Sequence, residues 1–174
     1  MAEFRQSELI IGANGFIGAA LHKKIPDAAT TTREKLNLLF LDIAPVGIVD
    51  HDIVYLCAGT NGAKRCEGNQ DAFRVNVDAT VDLARLCDSY HAFMVYIGSM
   101  SVEWSDGAYQ RQKLAAETIL RTMKNVGIVR AGRVLKSNVD ELCDFMIEVG
   151  RAKEPGLFRW GSDDIAYDGR RISR

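Results

Sequence analysis

A tyrosine and a lysine four residues apart, Tyr109 and Lys113 in A-Y-Q-R-Q-K-L-A-A-E, could do acid–base chemistry together. On a helix that spacing puts phenol and ammonium on one face, within reach of one ligand. A phenol titrates at about 10 and is a poor acid–base group at neutral pH; a neighbouring ammonium favours the phenolate, so Lys113 is expected to lower the Tyr109 pKa. Upstream, I-G-S-M-S-V closes a strand-like run and offers Ser99 or Ser101 as a hydroxyl that could hydrogen-bond a substrate carbonyl. A Tyr–Lys pair at this spacing arises by chance about 0.2 times in a chain of this composition, so the pair gains its weight from context.

That context begins at residues 10–18, I-I-G-A-N-G-F-I-G, where an apolar strand runs into three glycines spaced by three and then a helix. Such a turn presents unpaired helix N–H groups and the positive end of the helix dipole to an anion, which suits a pyrophosphate. Gly12 is expected to make the turn, Gly15 to let the backbone approach the phosphates, and Gly18 to let helix and strand pack closely. Asn14, Phe16 and Ile17 belong to the same candidate cofactor-binding loop. The second strand ends T-T-T-R-E, and Arg33 arrives before Glu34. A guanidinium there pairs a 2′-phosphate, with Thr31 or Thr32 adding hydroxyls, so NADP is favoured over NAD.

The elements that must hold these groups alternate along the chain. Strands are expected near Glu8–Ile11, Ala28–Thr32, Ile53–Cys57, Phe93–Ile97 and Gly127–Arg130, and helices near Phe16–Lys24, Gln70–Tyr90, Ala108–Lys124 and Asp140–Gly150. Continuous apolar strands between helices point to an α/β fold: a Rossmann-type doubly wound parallel sheet with helices on both faces and its ligand over the carboxyl ends of the strands. The expected dinucleotide-binding domain covers 1–150. Residues 151–174 mix Phe158, Trp160 and Tyr167 with 6 basic and 4 acidic groups, and read as a tail or the remnant of a substrate region, too polar for a core element. The segment 70–90 is apolar on more than one face, which makes it and 108–124 candidates for a homo-oligomer contact.

Composition limits the function classes. With 22 basic and 23 acidic residues and no early basic block, no nucleic-acid partner is expected. The longest apolar stretch, 36–49, is broken by Asn37, Asp42 and Pro45, and the first residues carry no apolar leader, so neither a membrane partner nor secretion is expected and the location is expected to be cytoplasmic. Cys57, Cys66, Cys87 and Cys143 lack C-x-x-C or histidine spacing and read as free thiols, with no metal site.

Taken in order, G-A-N-G-F-I-G at 12–18, L-C-A-G at 56–59, V-N-V-D-A-T at 75–80, I-G-S-M-S-V at 97–102, Y-Q-R-Q-K at 109–113 and V-R-A-G-R-V-L at 129–135 resemble the short-chain dehydrogenase/reductase superfamily, in its extended, sugar-nucleotide epimerase/dehydratase/reductase branch. T-R-E-K-L-N-L-L at 32–39 is most similar to four-keto sugar reductases of the fucose synthase type. The resemblance implies Ser99, Tyr109 and Lys113 as catalytic residues, with Lys113 also holding the nicotinamide ribose. It further implies Ala58 and Gly59 as backbone beneath the adenine and Asn76 as a supporting asparagine. The substrate it implies is a nucleotide-sugar or a small carbonyl compound. Met100 and Ser101 replace the Asp-Glu pair of dehydratases, which leaves reductase or epimerase. The chain is shorter than extended members, and Ser99 and Tyr109 stand closer than is usual in them. A truncated, non-catalytic NAD(P)-binding sensor or partner subunit is therefore the alternative reading.

Overall fold

The computed structural model describes residues 6–40 and 48–161; expectations that fall on Asp42, Pro45 or Tyr167 lie outside the described residues. Strand β1 (Glu8–Ile11), helix α1 (Phe16–Lys24) and strands β2 (Ala29–Thr31) and β3 (Ile53–Leu56) come first. They are followed by helices α2 (Ala63–Cys66) and α3 (Gln70–Phe73), a π-helical turn (Arg74–Asp78), and α4 (Ala79–Ser89). Then come β4 (Phe93–Ser99), α5 (Ala108–Leu120), β5 (Val126–Ala131), α6 (Val139–Ala152) and β6 (Gly156–Trp160). Every pairing is parallel, in the order β2-β1-β3-β4-β5-β6. The fold is thus the expected Rossmann-type doubly wound sheet. The chain leaves β1 toward β2 and returns on its other side as β3, and at that reversal the carboxyl ends of β1 and β3 diverge to leave a crevice.

Alternation along each strand divides the core into two layers. Val54 and Leu56 of β3 face Leu83, Ala84 and Cys87 of α4 and Ala116 and Leu120 of α5, while Ile53 and Tyr55 face Leu21 of α1 and Leu142, Cys143 and Met146 of α6. A fully buried Leu or Met in such a layer contributes about 2 kcal/mol. At the amino edge Tyr55 donates its hydroxyl proton to Glu8 at 3.0 Å, and Arg151 pairs with the same carboxylate at 3.2 Å.

Three departures from the expected elements bear on function. First, β4 runs to Ser99, two residues past Ile97, so this serine is the last residue of a strand. Second, the helix expected over Gln70–Tyr90 is interrupted at Arg74–Asp78, where the ladder widens by one residue and Thr80 Oγ1 donates to the Val75 carbonyl at 3.2 Å. The extra residue rotates the apolar stripe between α3 and α4, which accounts in part for the apolar residues on several faces.

Third, the stretch after residue 150 is not wholly outside the sheet. Arg151 and Ala152 finish α6, and Gly156–Trp160 pairs with Gly127–Ala131 as the edge strand β6, with Leu157 and Phe158 buried on opposite faces. The reading as too polar for a core element is corrected: the charge density belongs to flanking residues and to Arg159, which is taken up by an ion network described below.

Candidate functional site

The glycine turn forms one wall of the crevice. Gly12 adopts φ +90°, and a Cβ added there would lie 2.7 Å from the backbone nitrogen of Ala58. The turn thus crosses the end of β3 with no room for a side chain. A Cβ on Gly18 would fall 2.2 Å from the Gly12 carbonyl oxygen, so helix and strand touch through bare backbone, as expected. The Gly15 N–H donates to that same oxygen at 3.0 Å. The first intrahelical bond is Ala19 N–H to Gly15, which leaves the N–H groups of Phe16, Ile17 and Gly18 without an intrahelical partner.

Beside the turn lies a cavity of about 550 Å³ lined by Gly12, Asn14, Gly15, Thr32, Arg33, Ala58 and Gly59, together with Glu34, Leu36, Leu38, Thr60, Asp71 and Val75. Phe16, Ile17 and Gly18 are not on its wall: Phe16 is 50% exposed, Ile17 packs into the core layer beneath α1, and Gly18 is buried. Arg33 is exposed and makes no ion pair among the described residues. The Thr32 hydroxyl donates to Glu34 at 2.7 Å, so its proton is already taken. Thr31 does not line the cavity; it is 3% exposed and bonds to the Thr32 carbonyl.

The far wall is held by a buried polar cluster. Asn76, in the π-helical turn, accepts from the Thr60 N–H and donates to the Thr60 carbonyl, both at 2.8 Å, and donates to Gln112 Oε1 at 2.8 Å. Gln112 in turn reaches the Cys66 carbonyl at 3.4 Å. Asn76 thus joins the loop after β3 to α5, and only an amide, with donor and acceptor on one carbon, can fill both roles. The position of Asn76 was legible; that of Gln112 was not, because a glutamine between Tyr109 and Lys113 reads as surface.

Ser99, Tyr109 and Lys113 converge at the carboxyl ends of β4 and α5's first turns, separate from the cavity lining. The Ser99 hydroxyl lies 2.8 Å from Ser101 Oγ. Lys113 Nζ donates to the Ile97 carbonyl at 2.8 Å, 4.6 Å from the Tyr96 ring centroid and 6.0 Å from that of Tyr109. Burial pushes Lys113 down to about 8. Burial and the neighbouring Cys66 sulfur push Tyr109 above its ordinary value, and the Ser99 hydroxyl pulls the other way. The expectation that the ammonium would lower Tyr109 is therefore corrected: desolvation of the phenol outweighs it, and Lys113 directs one of its N–H donors to the Ile97 carbonyl. A phenol held neutral is a proton donor, not a base. Burial also raises the thiols, Cys87 to about 12 and Cys143 to about 11, in line with inert packing.

One feature next to this cluster was not read from the sequence. Arg130, in the otherwise apolar β5, forks onto Glu117 of α5 through Nε at 2.8 Å and Nη2 at 2.5 Å, and reaches Glu103 after β4 at 2.7 Å. Arg159 of β6 bonds the same Glu103 oxygen at 2.9 Å. The signal was an arginine inside a buried strand, which requires a carboxylate partner.

No protein-family model matches the chain. Nor does any curated protein match it. Solved structures do. A dTDP-4-dehydrorhamnose reductase from Yersinia enterocolitica superposes with TM-score 0.76 at 21% identity, covering 90% of this chain and 74% of that one. The Bacillus anthracis str. Ames dTDP-4-dehydrorhamnose reductase in complex with NADP gives 0.75 at 16% identity, over 92% and 76%. A UDP-N-acetylglucosamine 4-epimerase from Bacillus cereus gives 0.74 at 21%, over 92% and 79%. At such identities what is shared is architecture: this chain has the α/β fold found in solved sugar-nucleotide reductases and an epimerase.

Proposed function

We propose that the protein is an NADP-dependent reductase or epimerase of the short-chain dehydrogenase/reductase type that acts on a carbonyl or hydroxyl carbon of a nucleotide-sugar or small carbonyl compound. The observation that carries this reading is the meeting of Ser99, Tyr109 and Lys113 at the same sheet edge as a glycine-walled cavity. The cavity suits the adenosine and pyrophosphate of a dinucleotide: its wall is bare backbone at Gly12, its rim carries Arg33, and its floor is apolar at Leu36 and Leu38. When bound, such a cofactor supplies the two electrons and the hydrogen that a carbonyl carbon takes up.

The chain's own residues do the rest. Ser99 donates a hydrogen bond to the carbonyl oxygen and Tyr109, kept neutral by burial, gives that oxygen its proton. Lys113, anchored on the Ile97 carbonyl beside the phenol, is placed to hold a ribose hydroxyl. Arg33 pairs a 2′-phosphate. NADP and NADPH in the names of solved neighbours agree with that preference. Exposed Phe73 (44%), Leu114 (43%) and Ile119 (39%) on α3 and α5 support a second copy packing on these helices, which light scattering reads directly.

The test is Tyr109→Phe assayed with NADPH against a panel of nucleotide-sugars and small carbonyl compounds. Turnover should vanish while NADPH affinity, read by fluorescence titration, stays within a few fold. Wild-type protein that binds NADPH and turns over nothing in the panel would establish the alternative, a non-catalytic dinucleotide-binding sensor or partner subunit.

A further inference from the structure

Tyr96 has no role in the chemistry assigned above, yet its ring lies closer to the Lys113 ammonium than the Tyr109 ring does, 4.6 Å against 6.0 Å from Nζ to the ring centroid. A cation over an aromatic face within about 6 Å is drawn to the ring's quadrupole, and more strongly where water is excluded. The same Nζ donates to the carbonyl of Ile97, the next residue of β4, at 2.8 Å. One strand thus supplies both contacts. The ring is also fixed in place: Tyr96 is 2% exposed, lies in the core layer with Ala116 and Leu120 of α5, and is flanked in register by Leu56 of β3 and Ile128 of β5. Its hydroxyl is buried and has no hydrogen-bond partner among the described residues. A buried tyrosine usually pairs its O–H. Here the polar end makes no bond, and the face of the ring makes the contact.

We propose that Tyr96 is a positioning residue: its ring face and the Ile97 carbonyl form a seat on β4 that holds the Lys113 side chain beside Tyr109 and favours its charged form. The proposal rests on the reading of Lys113 as a residue of the site. Burial drives an ammonium toward its neutral form, and an aromatic face and a carbonyl dipole act against that. The other groups around Lys113 do less. The Cys66 thiol of α2 and the Cys57 thiol after β3 are pushed up by burial and so stay neutral, and Glu117, the acid of α5, is forked by Arg130.

The experiment titrates Lys113 by NMR in protein labelled with carbon-13 at lysine Cε, its signal assigned by its loss in Lys113→Met, with no substrate or cofactor added. Tyr96→Phe keeps the ring face and removes only a hydroxyl that bonds to nothing, so its midpoint should stay within about 0.2 pH unit of wild type. Mono-, di- and trifluorinated phenylalanine placed at position 96 then withdraw electron density from that face while nearly keeping its shape. The midpoint should fall with each fluorine, and in the trifluorinated protein should lie about half to one pH unit below Tyr96→Phe. Tyr96→Leu, which removes the face, should fall at least as far. Equal midpoints across the fluorinated proteins would overturn the seat even if Tyr96→Leu is shifted, because that shift would then belong to lost packing. The outcome is independent of turnover: an inactive wild type with a stepwise titration sinks the reductase reading alone, and an active one with unmoved midpoints sinks only the seat.

Discussion

The two halves of the sheet edge are built from different materials. Around β1 and β3 the crevice is made of backbone: Gly12, Gly18 and the Ala58 peptide touch with no side chain between them. Around β4 and β5 the surface is made of side chains: two serines, a tyrosine, a lysine and a glutamine set by hydrogen bonds, above an Arg130–Glu117–Glu103–Arg159 network. The first region fails when atoms are added, the second when atoms are removed. A backbone wall needs no rotamer to be frozen, so it is ready for a ligand common to many proteins. A side-chain cluster can be retuned one residue at a time, which suits whatever must differ between substrates.

The largest expected effect separates the halves. Tyr109→Phe should lower turnover by a factor of about 10² to 10⁴, the usual worth of a positioned general acid, with the melting curve nearly unmoved. Gly12→Ala should do the reverse. Clash with Ala58 and a positive φ should together cost about 3 kcal/mol in a denaturant titration, and NADPH affinity should fall with it. If Gly12→Ala melts like wild type, the division between backbone and side-chain halves is wrong.

Below these comes the ion network. Glu117→Ala leaves Arg130, 7% exposed, with Glu103 alone, and should cost about 3 kcal/mol by the same titration. Arg33→Ala sharpens the cofactor side: it should weaken NADPH about tenfold and NADH hardly at all, and equal losses would remove the 2′-phosphate assignment.

The smallest effect is a slope. Lys113 titrates at about 8 in the fold and at 10.5 ordinarily. Between those values the unfolded chain holds a proton that the folded one has released, so stability should rise with pH there by up to about 1 kcal/mol per pH unit. Below the lower value the full penalty of burying the ammonium remains. Lys113→Met should abolish the rise; a variant with the same slope as wild type would place the titration elsewhere.

Much of this was legible because the determinants are local. The strand–glycine–helix segment at 8–24 announces itself through apolar run, glycine spacing and helix composition, and the five expected strands are all present. What escaped depends on neighbours far along the chain. Strand β6 was hidden because charge averaged over 151–174 masks five residues whose Arg159 is neutralised by Glu103, fifty-six positions away. The π-helical turn leaves no periodicity, since one extra residue shifts the stripe without breaking it. Gln110 carries no mark in sequence; its bond to Ser101 exists only once the serines after β4 are folded against it.

That wide turn at Arg74–Asp78 also bears on how such a chain can change over generations. Gaining or losing one residue inside a helix turns everything upstream by about 100°, yet leaves the downstream half in phase with its sheet. α2 and α3 can therefore be swung to new headings while α4 stays docked. A one-residue change in length, ordinarily confined to surface loops, would here fall inside a helical rod, and α2 and α3, beside the candidate site, lie on the side that it would turn.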